Sequence, residues 1–472
     1  MSKTVFNIFQ SNLPFGDPHI CSDSKNRLSL ISAVYESLIA RTNPFDFEPC
    51  LALGWHVYPG AQLWDIRLRR HVVFHDGSEM KAGDVAASLE RIRDPKIGGA
   101  FGTQGVYASY LNGARFEVLN EGRLRIHLIE PMADLLELLA EMPIVPEDAL
   151  DDLPDEHVGS GSYRIRDADR DEIEMSSNEK HWRGKPNYHR LYWRAEPEEK
   201  ERIKAVVTGE ADISSGLTVR SASPAESREL RVIRQNGSLC VIYMLNCSRG
   251  FCEDRRIRQA LNLALDKQAI TNRIMDGAAE PLTGPLSPLH FGWDPETPGY
   301  PHNPFAAREL LRQAGYSDGL SIKMNIPSEM PDEAIPLSTL MTEQYREVGI
   351  SVNMEIHKDR SAYAEMVRKK RIGDLCCFDS SPLSTIRVLK EKIHSNFKGP
   401  WWQGYTNPEV NRLIEQGQHT INNSERQHLY RRAYRVIRDD APWVFLYRPE
   451  NFWAVKTDLD WKPSWDGVIR IP

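Results

Sequence analysis

The segment Asp379-Ser380-Ser381-Pro382 holds residue types suited to gripping an anion. Ser380 or Ser381 can cap a helix, and Pro382 suits its first turn. Leu383, Ile386, Leu389 and Ile393 recur at helical spacing as its buried face. A helix start offers unpaired N–H groups and a partial positive charge. Arg387, about a turn and a half further on, adds a bidentate donor, so the two together suit a carboxylate or phosphate. The alternative is a capped surface helix with Arg387 in solvent. Trp401-Trp402-Gln403-Gly404-Tyr405 is the second candidate. Adjacent tryptophans in a Gly-containing loop do not easily enter one core. Indole faces stack on sugar rings or cover apolar ligand parts, and the indole N–H gives direction. The alternative places one Trp in the core of a lobe and the other over a hinge.

No pattern for bond-breaking chemistry holds. GxSxG, HExxH, the Walker A loop and GxGxxG are all absent. His71 and His75 lie four apart, which on a strand separates them by roughly 13 Å, too far to share a metal. No catalytic residue, metal or cofactor is expected, and the chain reads as a non-enzyme. The basic run Arg368-Lys369-Lys370-Arg371 stands without interleaved aromatics and reads as a solvated helix end. With a net charge of −7, nucleic acid is not an expected partner.

The elements that must position these residues fill 472 residues, more than one hydrophobic core usually spans, so two or three lobes are expected. No apolar run is long enough to span a membrane. Met1 to Ile8 reads directly as a strand rather than a secretory leader, so either a leader was removed or the chain is cytoplasmic. The seven cysteines are odd in number and contain no CxxC pair, which argues against structural zinc. Cys247 and Cys252 could close a small loop; scattered buried thiols are the alternative.

Leu30, Val34 and Leu38 mark a helix from about Arg27 to Ala40. Trp64, Ile66 and Leu68 share one face of a strand, and Val85, Leu89 and Ile92 mark a helix. The turn Asn120-Glu121-Gly122 joins two strand-like runs, Arg115–Leu119 and Leu124–Leu128, as a hairpin. Gly159 and Gly161 suit a place where backbone bends or passes closely. A helix is expected over about Glu198–Thr208, and Ile257, Ala260, Leu261, Ala264 and Leu265 form another helical stripe. Asn303-Pro304 opens a helix as cap and first residue. Strand Leu320–Ile326, a helix around Leu337–Val348 and strand Ser351–Ile356 then alternate, the mark of an α/β lobe with a partly parallel sheet.

In this order the chain resembles solute-binding protein family 5, which includes oligopeptide-, dipeptide- and nickel-binding proteins. The resemblance runs over nearly the whole length. It rests on Val34-Tyr35-Glu36-Ser37-Leu38, Leu51–Trp55, Leu68–Ser78 with Ala82, Asp84 and Val85, and Gly159-Ser160-Gly161-Ser162-Tyr163. It continues through Asn178–Pro186, Gly209–Ile213, Asn246, Arg256–Asn262 and Ala441-Pro442-Trp443.

The resemblance implies a periplasmic-binding-protein-like α/β fold: two large lobes around a hinged cleft, with an additional small α+β lobe. Residues 1–30, 155–235 and 446–472 would form lobe I, 31–154 lobe II and 236–445 lobe III. A small solute would be held between lobes I and III and delivered to the permease subunits of an ABC importer. That solute would be a peptide, an opine-like molecule or a sugar conjugate with an anionic group. The protein would act as a monomer in the periplasm or tethered outside the membrane. The other readings are a ligand sensor, a chaperone-like peptide holder and, least, an enzyme. The loop Pro14–His19 would border the cleft, adding His19 to the candidate ligand residues Asp379, Ser380, Ser381, Arg387, Trp401, Trp402 and Tyr405.

Two departures stand out. Lys81 replaces a Ser or Thr at a helix cap. The segment Asp374–Pro382 is shorter than the loop in which the family's peptide binders carry the acidic residue that pairs with a peptide's amine, and only Asp379 could take that part.

Overall fold

A computed structural model describes residues 4–99, 103–329 and 331–471. Of the opening strand expected over Met1–Ile8, the first three residues lie outside the described ones; the strand itself runs Val5–Gln10. The chain divides into two compact units, 1–235 with 451–472, and 236–450.

The first unit contains two larger sheets and a short antiparallel pair, Ile39–Arg41 with Phe47–Pro49. Val5–Gln10 lies parallel to Arg190–Ala195 on one side and to Ile213–Leu217 on the other. Glu172–Ser177 and Tyr163–Ala168 continue outward as antiparallel neighbours. The final residues of the long strand Trp443–Lys456 close the other flank, with Val455 opposite Ile213. Phe6, Ile8, Trp193, Ile213 and Val455 form the centre of this core. The second sheet is antiparallel, in the order Ala52–Val57, Leu63–Leu68, Arg123–His127, Arg115–Asn120. Its inward residues Trp64, Ile66, Leu124 and Ile126 pack with Val85 and Leu89 of the helix Ala82–Ile92. The period-two pattern through Trp64 and the turn at Asn120–Gly122 are thus realised as strand and hairpin.

In the second unit Ile350–His357, Leu320–Pro327 and Leu375–Ser380 are parallel neighbours. Cys240–Leu245 runs antiparallel to Leu375–Ser380 and to the start of Trp443–Lys456. Both faces of this sheet are covered, so Cys240–Leu245 is buried at every position. Ile242, Met244, Cys376 and Phe378 face one core, while Val241, Tyr243, Leu375 and Cys377 face the other. Asn303 caps the helix Pro304–Gln313 through the Ala306 N–H, as its position before proline implies.

Several expectations are corrected. The first helix spans Lys25–Val34 and stops at Tyr35, whose extended backbone takes Glu36 and Leu38 out of it. His71 and His75 do not share a strand: His71 adopts φ +60° and His75 sits in a turn. All seven cysteines are free thiols, so Cys247 and Cys252 close no loop. Of the basic run, Arg368, Lys369 and Arg371 are exposed, but Lys370 turns inward and donates to the carbonyls of Gly399 and Pro400. At the uncapped start of the helix Ala82–Ile92, the Asp84 carboxylate accepts the Lys81 N–H at 2.7 Å, which keeps the reciprocal half of a capping box. Among the described residues no helix is long and apolar enough to cross a membrane.

Candidate functional site

The strand Leu375–Ser380 carries the first candidate residues. Ser380 is held opposite Cys240, and Asp379 opposite Val241. The chain therefore cannot turn into a helix at Ser380. It passes through Ser381, Pro382 and Leu383, and the helix begins only at Thr385. Its cap is Ser384, whose hydroxyl accepts the Arg387 N–H at 3.2 Å. This corrects the expected caps, Ser380 or Ser381, and leaves Pro382 ahead of the helix. The Pro382 carbonyl is fixed by His290 Nε2 at 2.9 Å. His290 Nδ1 accepts the Ser287 N–H at 3.1 Å, so the proton belongs on Nε2.

Arg387 lies inside this unit. Its Nε donates to Glu391 Oε1 at 2.9 Å, and both side chains are 1% exposed. The solvent-facing alternative for Arg387 is excluded. The guanidinium meets a carboxylate of its own helix, one turn on.

The tryptophan loop joins the same region. Trp401 is buried against Phe378, with ring centres 5.0 Å apart, and its backbone N–H donates to the Glu391 carbonyl. Trp402 is half-buried, and its indole N–H donates to the Tyr405 carbonyl at 2.6 Å. Tyr405 is buried, and its hydroxyl donates to Asp440 Oδ2 at 2.7 Å. Burial, then the Asp440 carboxylate, raises the Tyr405 phenol far above its ordinary range. Gly404, at φ +89°, lets this loop lie on Ser248, where a Cβ would stand 2.4 Å from the Ser248 side chain. The strand end, the helix and Trp401 are therefore brought together, with Trp402 and Tyr405 beside them.

His19 belongs to the first unit. Arg91 grips Asp17 with two bonds, of 2.9 and 2.7 Å, and donates a third to His19 Nδ1 at 3.0 Å. With Nδ1 accepting, Nε2 is left to donate to the Pro143 carbonyl at 3.1 Å. His19 is fully buried; burial and then the Arg91 charge pull its imidazole down to about 4.

The segments that carry the family resemblance converge on a second buried node in the same unit. The Glu36 carboxylate accepts from Trp182 Nε1 at 2.9 Å, from Ser160 Oγ at 2.9 Å and from His181 Nε2 at 3.3 Å. Burial raises Glu36, but these donors and the His181 charge more than offset it, and the carboxyl sits below its usual range. His75 Nε2 donates to the Gly161 carbonyl, and its ring accepts from Gly159 N–H. Gly159 and Gly161 lie so close to Val34 that a Cβ on either would meet main-chain atoms within 2.5 Å. These motifs serve packing between distant segments.

Other polar groups escaped the sequence reading. In the first unit, Gln10 Oε1, Ser214 Oγ and Ser215 Oγ are buried and bond to none of the described residues. They sit at adjoining positions of parallel strands, Phe9 being opposite Ser214. In the second unit Ser238 Oγ and Ser380 Oγ are likewise buried without a partner. Ser380 ends its strand and Ser238 lies two residues before its register partner Cys240. Buried hydroxyls are normally hydrogen-bonded, and solutes in open α/β sheets meet the carboxyl ends of strands. A lone serine in a strand gives no sequence signal, which is why only Ser380 was singled out.

Comparison with known proteins gives one consistent answer. The glutathione-binding protein GsiB of Salmonella choleraesuis is 24% identical over 462 residues, covering 94% of this chain and 89% of its own length. The oligopeptide-binding protein AppA of Bacillus subtilis, solved with a nonapeptide, superposes with a TM-score of 0.81 at 19% identity, covering 100% of this chain and 98% of its own. MoaA of A. tumefacien R10, solved with mannopinic acid, gives 0.78 at 22% identity and covers 98% and 97%. These are binding proteins, not enzymes, and they share the α/β fold described above. The model of the bacterial extracellular solute-binding proteins, family 5, matches residues 46–375. The chain belongs to that family, whose members are the extracytoplasmic binding components of ABC importers.

Proposed function

We propose that this protein captures a small peptide-like or opine-like solute bearing a carboxylate and hands it, as a monomer, to the permease of an ABC importer. The observation that carries the ligand reading is a pair of buried hydroxyls, Ser380 and Ser238, that bond to none of the described residues where the strand Leu375–Ser380 ends. Hydroxyls donate to a carboxylate without adding charge of their own. The guanidinium of Arg387 is already bonded to Glu391, so the hydroxyls are the better placed donors. The names of relatives agree in chemistry: one binds glutathione, one a nonapeptide and one mannopinic acid.

The test is native mass spectrometry of the protein purified without denaturation, followed by calorimetric titration with glutathione, short peptides and opines. A co-purified solute of one of these classes, bound again on titration and recovered unchanged, is the expected result. Turnover of the solute, or a bound molecule with no carboxylate, would overturn the reading.

A further inference from the structure

Lys267 is the second unit's chemical anomaly. It opens the helix Lys267–Met275, is 7% exposed, and its Nζ is buried with no hydrogen-bond partner among the described residues. A buried ammonium normally demands a carboxylate or several acceptors. Here the amine stands 5.8 Å from the centre of the Tyr300 ring. The same ring carries a second cation, the Arg438 guanidinium, at 4.1 Å. Arg438 is held there by the carbonyls of Pro298 and Gly299 and by Asp439. The Tyr300 hydroxyl donates to the Arg438 and Asp439 carbonyls. Of the nearby acids, Asp439 pairs with Arg438, and Asp266 caps the Ala269 N–H and faces His302. Neither bonds the lysine.

We propose that Lys267 is a carbamylation site that takes up dissolved carbon dioxide. The position disfavours a second cation: its charged neighbour, the Arg438 guanidinium, is already one, and no carboxylate among the described residues bonds it. Burial first, then the Arg438 charge, lowers the Lys267 ammonium to about 7, so the free amine is well populated near neutral pH. Its lone pair attacks the carbon of carbon dioxide, forming the N–C bond. One C=O electron pair moves onto oxygen, and the amine proton leaves to water. The product is a carbamate anion beside Arg438, where the reactant was a second cation. A buried amine admits this small, uncharged electrophile more readily than bulky acylating agents. An exposed lysine such as Lys81, paired with Glu121 and raised above its ordinary value by that bond, stays protonated and unreactive.

The experiment equilibrates the whole protein with 13C-bicarbonate near pH 8, records the carbamate carbon by NMR, then traps it by O-ethylation and maps it by peptide mass. The expected result is one labelled lysine, Lys267, with the signal lost in Lys267→Met. In Arg438→Gln, checked for folding by circular dichroism, occupancy should fall severalfold with Lys267 still present. Absence of label at Lys267 in the folded wild-type protein, labelling spread evenly over exposed lysines, or full occupancy in Arg438→Gln would overturn the proposal.

Discussion

Arg387 and Glu391 stand one helical turn apart and bond at 2.9 Å where both are 1% exposed. Removing one member of such a pair leaves the other charge buried. Arg387→Ala should therefore destabilise the protein by about 3–5 kcal/mol. Replacing both residues, as Arg387→Met with Glu391→Leu, should recover most of that loss. Urea unfolding of the three proteins measures it. At temperatures where Arg387→Ala remains folded, its affinity for the solute should stay within about threefold, roughly 0.6 kcal/mol, of wild type. A larger loss would bring the guanidinium back into the binding site.

His19 sets a pH dependence. The folded state holds the ring neutral down to about 4, whereas an unfolded histidine protonates near 6.5. Between these values the unfolded state binds the extra proton, so stability rises with pH across the window. His19 contributes no penalty above about 6.5 and costs up to roughly 3 kcal/mol as pH falls to 4. His19→Gln, whose amide can still accept from Arg91, should flatten that slope by about one proton. An unchanged slope in denaturant melts at pH 4.5, 5.5 and 6.5 would show that another group titrates.

Gly161 tests the packing node. A Cβ there would sit 2.5 Å from the Ala33 carbonyl oxygen, with more main chain behind it. Gly161→Ala should cost about 2–3 kcal/mol through overpacking. Gly98 has nothing within 4 Å of the same construction, so Gly98→Ala is the matched control and should be nearly silent. Thermal melts of the two, side by side, decide whether close approach is the reason for glycine at 161.

How far these features could be read in advance depended on whether their cause was local. The strand through Trp64, the hairpin at Asn120–Gly122 and the Asn303 cap were legible because period, turn chemistry and capping act within a few residues. The helix ahead of Arg387 was misplaced because Ser-Ser-Pro is a good local start, while the strand register at Cys240 and the His290 bond to Pro382 act across long sequence separations. The first helix was read too long for the same reason: Glu36 leaves it to meet Trp182, 146 residues away. Of the groups proposed to meet the solute, Ser380 was legible from the segment it ends. Ser214, Ser215 and Ser238 were not, since only burial without a partner distinguishes them from any other serine.

Ser380 separates binding from folding most cleanly. Its hydroxyl is buried and bonds to none of the described residues, so the fold gains no hydrogen bond from it. Removing the oxygen should leave stability unchanged or slightly raised, because an unmet polar group in the interior costs free energy. If the hydroxyl donates to the solute's carboxylate, Ser380→Ala should weaken binding by about 1.5–3 kcal/mol, the range for a hydrogen bond to a charged group. That corresponds to roughly 12- to 160-fold in Kd. Ser238→Ala should act in the same direction, and the double variant should lose more than either alone. Calorimetric titration with the solute found by native mass spectrometry, paired with a melting curve for each variant, reads both quantities. A Ser380→Ala protein that melts like wild type and binds equally well would remove this strand end from the site and with it the main support for a carboxylate held by neutral donors.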